Sequence, residues 1–423
     1  MIWLLVLATL LFLVTVHEAG HFLAAKLLGM AVEEFAIGFG PVVFSRRRGE
    51  TRYSLRAFPI GGFVRLAGEE GTTQGVPFER TYYGRPAWVR LFVSLAGPVA
   101  NILLAALIAV GALMGFGLPR LQVAGVVPEK PAEKALKLGD VVLKVGGREV
   151  WLWDEVGPAI QASSPGPVPF DIIRDGERLR VEITPEWDPT EGRYLVGAYF
   201  STQVFLPKLE GLEPGSPLHQ VGLRPGDVIK GACGHGVGSL AELYGELEDG
   251  CRSLSVSRGG ERLEVALPSL DPDALLSGAS FAGLPQVVER PGPGAAIWLA
   301  ARQVAQFFLA LGQFLGGLVR GSIPAGQAVS GPVGLAGLLS QGLQAGGLAT
   351  FLLIAFISLN LAAFNLLPIP ALDGARMCFA LFELMTRRRV SPAVEAAIHA
   401  LGFLLLLGLM LLVTWRDIMR LVG

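Results

Sequence analysis

The chain has 423 residues, 52% hydrophobic and only 17% charged, with a mean hydropathy of +0.52. Soluble domains carry about a quarter charged residues, so this composition points to a membrane protein and excludes disorder. Thirty-five Lys and Arg against 36 Asp and Glu leave a net charge of −1, without the basic excess a nucleic-acid binder needs. The 55 glycines and 28 prolines argue against a plain helical bundle. Cys233, Cys251 and Cys378 are too few and too scattered for a disulfide framework or a cysteine zinc site.

Taken from the N-terminus, Met1 to Val16 has no charged residue, and up to Val32 the titratable ones are His17, Glu18, His21 and Lys26. Roughly 20 apolar residues cross a bilayer, so residues 1–30 form a first transmembrane helix. A cleaved signal peptide lacks support here, because the basic leader is missing and the apolar run continues into His-Glu and a second His. Residues 31–90 hold nine Lys and Arg against six acids, including Arg46-Arg47-Arg48, which marks a cytoplasmic loop. Alternation around Arg52-Tyr53-Ser54-Leu55 and Phe63-Val64-Arg65-Leu66 predicts strands, paired as a β-hairpin. Leu91 to Pro119 is uncharged, giving a second span over 91–118.

A polar stretch follows, with 17 basic and 25 acidic residues between 120 and 290. It contains a weak repeat. Val127-Pro128-Glu129-Lys130-Pro131 leads to Gly139-Asp140-Val141-Val142, and Glu213-Pro214-Gly215-Ser216-Pro217 leads to Gly226-Asp227-Val228-Ile229, the Gly-Asp pairs lying 87 residues apart. Each copy resembles a PDZ domain, the second more closely, which predicts two extracytoplasmic α+β domains at 121–203 and 204–288. PDZ domains bind extended peptides at an open sheet edge, but neither copy shows a clear carboxylate loop, so a role as spacers stays open.

Residues 289–349 combine Gln303–Val319, uncharged but punctuated by Gln303, Gln306 and Gln313, with a Gly-rich linker; the helix at 303–319 either spans or lies in the interface, and the interfacial reading is adopted. Two further spans follow at 350–374 and 395–416. Four spans place Arg387-Arg388-Arg389 on the same side as Arg46-Arg47-Arg48, whereas a fifth would put them outside.

His17-Glu18-Ala19-Gly20-His21 is the sharpest chemical signal. At i and i+4 on a helix both imidazoles face one way and can grip one cation, with Glu18 beside them as general base. Three titratable groups inside an apolar span are expensive and indicate function. Catalytic zinc takes three protein ligands and keeps a fourth position open. The other intramembrane acid is Asp373, in Asn365-Leu366-Leu367-Pro368-Ile369-Pro370-Ala371-Leu372-Asp373-Gly374, where two prolines break the helix. His17 lies about 15 residues from the outer end of its span and Asp373 about 23 from its own, so both fall in the cytoplasmic half of the bilayer. A helix stop at the interface is the alternative role for Asp373.

These paired motifs, with PDZ-like copies between them, resemble the site-2 protease family of intramembrane zinc metalloproteases, and most closely its regulator-of-sigma-E protease branch. The resemblance covers nearly the whole chain. It implies Zn²⁺ held by His17, His21 and Asp373, Glu18 as catalytic base, and cleavage of single-span membrane proteins within the bacterial cytoplasmic membrane. Anti-sigma factors or signal-peptide remnants, already trimmed by an upstream protease, would be the substrates, screened by the PDZ pair. The sequence has Asp373-Gly374-Ala375-Arg376 where members often have Asp-Gly-Gly-His.

Gly61, Gly62, Phe63 and Val64 look like the family's membrane-associated β-loop, whose strand edge would pair with unwound substrate; an ordinary hairpin is the alternative. Asn365, with Pro368 and Pro370, is the other candidate substrate-binding group. Gly97-Pro98-Val99-Ala100-Asn101 matches a further signature, with Asn101 either catalytic or a packing residue between helices. Ser330-Gly331-Pro332-Val333-Gly334 reads as a re-entrant or interfacial turn. His219, His235 and His399 lack ligand spacing and read as ordinary. A silent PDZ scaffold and a transporter are the rival functions; the scaffold needs no metal, and transporter repeats fall among the spans, not in a soluble part.

Overall fold

A computed structural model describes residues 2–69, 75–320 and 332–422. It divides into two units, Met1–Gly117 with Arg290–Gly423, and Leu118–Glu289.

The helical unit opens with α1 (Ile2–Leu27), whose buried residues Val6, Thr9, Leu13, His17, Gly20, His21 and Ala25 recur every three or four positions. That spacing is one helix face, and the two histidines lie on it. The chain then forms β1 (Val32–Arg48) and β2 (Thr51–Leu66), two long antiparallel strands that bend. Phe35 pairs with both Tyr53 and Val64, so the first half of β1 lies between the two halves of β2. The hairpin of the sequence reading is therefore a four-segment sheet, with Gly62–Leu66 along one outer edge. Gly38, Gly40 and Gly61, at φ of 86°, 84° and 83°, take the positive-φ backbone where the strands bend.

The second span, α2, runs Ala87–Phe116 and starts earlier than its first uncharged residue predicts. The reason is Arg90: it is 1% exposed and ion-paired with Glu383, so its charge does not end the helix. Gly97, expected near the start of the span, lies ten residues inside it.

In the second unit, β3 (Gln122–Val126), β4 (Val141–Val145), α3 (Trp153–Ser163), β5 (Val168–Arg174), β6 (Glu177–Ile183) and β7 (Ala198–Ser201) form one module. Next come β8 (Phe205–Leu212), β9 (Val228–Ala232), α4 (Leu240–Glu248), β10 (Ser253–Arg258), β11 (Glu261–Ala266) and β12 (Ala279–Gly283). The sheet orders are β7-β3-β4-β5-β6 and β12-β8-β9-β10-β11, the same topology twice. In each, alternating residues fill a separate core, around Phe170 and Ile172 in the first and Ile229 and Val256 in the second.

The repeated Gly-Asp has a structural cause. Asp140 accepts from the Lys137 N–H at 2.8 Å and from Arg174 Nε and Nη2 at 2.8 and 2.6 Å. Asp227 accepts from the Arg224 N–H at 2.8 Å and from Arg258 Nε and Nη2 at 2.8 and 2.7 Å. Each aspartate thus closes a turn and clamps the end of the fourth strand through a two-pronged guanidinium. Cys233 and Cys251 form a disulfide with Cα atoms 5.7 Å apart. The cysteine count excluded a framework, but a single bridge needs only two residues brought together by the β-fold.

The helical unit resumes with α5 (Pro293–Val319), α6 (Pro332–Ala345), α7 (Gly347–Leu366), α8 (Asp373–Thr386) and α9 (Pro392–Val422). Among the described residues five helices, α1, α2, α5, α7 and α9, are long and apolar enough to cross a membrane, where the sequence predicts four; α5 is the least apolar. The expected span 350–374 is not one helix. It stops at Leu366 ahead of Pro368, and Asp373 opens α8, because proline offers no N–H and disfavours helical backbone before it. Of the expected turn at 330–334, Ser330 and Gly331 lie outside the described residues.

Candidate metal centre

The centre is assembled where three helices meet. Gly20 lets α1 close on α2: a Cβ there would meet Ala100 Cβ at 2.8 Å and overlap the Ala96 carbonyl. Gly97 does the same from the other side, facing the imidazoles themselves; a Cβ on it would stand 2.8 Å from His17 Nε2. Asp373, the first residue of α8, completes the group.

His17 Nε2 lies 2.9 Å from Asp373 Oδ2, His21 Nε2 lies 3.2 Å from the same oxygen, and the two Nε2 atoms are 3.2 Å apart. His17 and His21 are 5% and 8% exposed. Among the described residues these three form the one cluster of at least three His, Cys, Asp or Glu able to hold a metal ion.

The surroundings fit a metal. His21 Nδ1–H donates to the Val93 carbonyl at 2.7 Å, which fixes the tautomer and leaves the Nε2 lone pair facing His17 and Asp373. His17 Nδ1 lies 3.5 Å from the side-chain amide of Asn101, which is 0% exposed and whose Oδ1 has no hydrogen-bond partner. Turned through 180°, that amide presents Oδ1 to a His17 Nδ1–H, satisfying both groups when Nε2 binds a metal.

The three residues open on a cavity of about 260 Å³, also lined by Glu18, Phe63, Val64, Tyr82, Asn365 and Arg376. Gly62 faces Glu18: a Cβ there would lie 3.7 Å from Glu18 Cγ and 2.7 Å from the Ala36 carbonyl oxygen. The β2 edge therefore runs alongside the glutamate. Gly61 stands against Phe39. Asn365 lines the cavity, but its Nδ2 donates to the Leu361 carbonyl at 2.9 Å. Pro368 and Pro370 are not part of the lining; they belong to the loop that carries the chain from α7 to Asp373.

Some participants carry no clear sequence signature. The Val93 carbonyl is backbone, invisible to any residue pattern. Tyr82 and Arg376 enter through folding, with Arg376 ion-paired to Glu69 beyond the end of β2. Gly97 was legible as a glycine within an apolar span, a sign of close backbone approach, though its neighbour was not.

Two imidazoles and a carboxylate converging on one point, with a glutamate in the same cavity, on helices apolar enough for a bilayer, define a membrane-embedded zinc metalloprotease. Comparison with known proteins agrees. The chain belongs to peptidase family M50, the site-2 protease family, whose model matches residues 5–409. It is 30% identical to a Thermotoga maritima relative, covering 97% of each chain. It is 27% identical to the zinc metalloprotease RasP of Geobacillus kaustophilus, over 96% of this chain and 95% of that one. Metalloprotease MmpA of Caulobacter vibrioides is also 27% identical, over 99% of this chain and 96% of its own length. Among solved structures, the PDZ domain of an SdrC-like protein of Listeria monocytogenes matches 19% of this chain and 87% of its own, at 17% identity and a TM-score of 0.18.

Proposed function

We propose that this metalloprotease cleaves single-span membrane proteins inside the bacterial cytoplasmic membrane, with anti-sigma factors or signal-peptide remnants as substrates and an upstream protease trimming them first. The observation that carries the reading is the approach of Asp373 to the histidine pair, in a cavity bordered by an open strand edge.

His17, His21 and Asp373 hold the zinc. When bound, zinc supplies Lewis acidity, polarising a carbonyl and acidifying water. Glu18, beside them, takes the proton of the attacking water and delivers it to the leaving amine. A transmembrane helix hides its peptide bonds, so the substrate must unwind before attack. Gly61–Val64 on the β2 edge then pairs with the unwound backbone and replaces its lost hydrogen bonds. Asn365 and Arg376 reach the same cavity and orient the scissile segment.

The topology we favour has four crossings. Gly347 packs against the Phe116 ring, so α7 starts at the end of the helical unit where α2 finishes. The chain enters α5 from the PDZ-like unit, hence from that same side. A crossing by α5 would have to be undone before Gly347, and among the described residues the helix between them is α6, whose 14 residues reach roughly 21 Å against a 30 Å core. Arg389 Nη1 donates to the Tyr83 carbonyl at 2.6 Å, so the 387–389 triad and the loop before α2 share one end, the cytoplasmic one by their basic charge. The PDZ-like modules then lie outside, where an oxidising compartment suits the Cys233–Cys251 disulfide. There they screen substrates by size, admitting those already trimmed.

The test is purified full-length protein in detergent with a single-span model substrate. Cleavage is expected, lost on chelation and restored by zinc. Glu18→Gln should keep the metal and lose activity by about 10²–10⁴-fold. Cleavage unaffected by Glu18→Gln would overturn the mechanism, and deletion of 121–288 without loosened substrate choice would overturn the screening role.

A further inference from the structure

His399 has no part in the chemistry above, yet it is built into the structure around it. It lies on α9, a helix most of whose surface faces outward: Leu401, Phe403, Leu404, Leu405, Leu411 and Leu412 are each at least 60% exposed. Three of its inward contacts follow one stripe. Glu395, His399 and Gly402 stand at i, i+4 and i+7 and so share a face. Glu395 accepts from the Tyr83 hydroxyl at 3.1 Å. His399 Nδ1 accepts from the Ala371 N–H at 3.0 Å. Gly402 lies flat on Pro370, where a Cβ would come within 2.6 Å of that residue's carbonyl.

Two of these three contacts fall on Pro370 and Ala371, immediately ahead of Asp373. Ala371 has φ of 77°, a left-handed conformation that a residue with a Cβ adopts only when its surroundings impose it. Ala371 is half-buried, and a donor left without an acceptor there is costly. An imidazole accepts at Nδ1 only when that nitrogen carries no proton, so His399 is neutral with its hydrogen on Nε2. The ring is fixed further by an edge contact to Phe379 of α8, 5.9 Å between centroids.

We propose that His399 is a positioning residue for the metal centre: by accepting the Ala371 N–H it holds the loop in the turn that delivers the Asp373 carboxylate to His17 and His21. The proposal rests on the zinc reading of that centre. It assigns to the last helix a task beyond membrane anchoring, through backbone and not through contact with the reacting atoms.

The experiment uses the full-length protein in detergent, with zinc affinity measured by competition against a chromogenic chelator and the kcat and KM of cleavage measured in parallel. His399→Leu removes the acceptor, His399→Phe removes it while keeping ring volume beside Phe379, and His399→Asn keeps an acceptor oxygen. Both apolar variants should bind zinc about 10–100-fold more weakly and lose kcat with KM little changed, while His399→Asn returns to within about threefold of wild type. Wild-type zinc affinity in His399→Phe would overturn the proposal. So would an Asn variant as weak as the apolar ones, which would make the site one of shape alone, or unfolding of both apolar variants, which would place the role in global stability. Wild-type protein that binds zinc but cleaves nothing would instead refute the protease reading and leave the His399 result standing.

Discussion

Gly97→Ala is the sharpest probe of the centre, because it adds one carbon at the point where α2 faces both imidazoles. The new Cβ would stand 2.8 Å from His17 Nε2 and 2.6 Å from His21 Cε1. Ordinary contact begins near 3.4 Å, so His17 Nε2 must retreat by 3.4 − 2.8 = 0.6 Å and the His21 ring by more than 3.4 − 2.6 = 0.8 Å, because its Nε2 overlaps the new carbon more closely still. A metal site tolerates only about 0.2 Å. The helices cannot relieve the overlap by moving apart freely, since Gly20 seats α1 on Ala96 and Ala100 and His21 is tied to Val93 of α2 itself. Displacing two ligands together should weaken zinc binding about 10–100-fold, or roughly 1.4–2.7 kcal/mol. In protein stripped of metal the rings can retreat at the cost of single hydrogen bonds, about 0.5–1.5 kcal/mol each, while alanine improves a helix interior by about 0.5–1 kcal/mol over glycine. The metal-free variant should therefore melt within a few degrees of wild type while the zinc-dependent rise in Tm shrinks. Chelator competition and paired melting curves with and without zinc read both quantities. Wild-type zinc affinity in Gly97→Ala would show that the imidazoles do not meet at α2, and the reasoning from this geometry would fail.

Other outcomes follow from the two β-rich modules. The Arg258 guanidinium hydrogen-bonded to Asp227 holds that carboxyl below the usual carboxylate range. Its folded pKa being depressed, it contributes stability that is fully present above the unfolded value, about 3.9, and lost as pH falls through the folded one. Hydrogen exchange of the second module, followed as pH is lowered from neutral through the unfolded value of about 3.9 and below it, should show this loss in wild type and a flatter profile in Asp227→Asn; identical profiles would refute the pairing. Alkylation should label one thiol per chain, Cys378, before reduction and three after it. Reduction should destabilise the second module by about 3 kcal/mol, given an 18-residue separation, and leave the first unchanged; three labelled thiols before reduction would exclude the bridge. Asn101→Leu should weaken zinc binding through the loss of the His17 partner, with Asn101→Asp weakening it less; equal zinc affinity in both would make Asn101 a packing residue only.

Much of this protein is written locally. The long uncharged runs set the membrane helices, because desolvating charge is costly wherever the run is placed. The i, i+4 spacing of His17 and His21 decided that two imidazoles share a face before any neighbour was known. The Gly-Asp repeat marked two like modules, although the arginines at the ends of β5 and β10, which explain the aspartates, lie over 30 residues away in sequence.

Tertiary structure decided what depends on distant partners. The pairing of Asp373 with residues 352 and 356 positions earlier is a property of helix packing; the residues themselves offered the aspartate as the other acid in the membrane, at a matching depth, and its role as a partner of the histidines came from the family resemblance. The Val93 carbonyl that orients His21, the double pairing of β1 that leaves Gly62–Leu66 on an edge, and the hydrogen bond from Ala371 to His399 involve backbone groups that every sequence possesses. Periodicity shows which face of an element is buried; only the packed fold shows which carbonyl, which edge and which distant carboxylate that face meets.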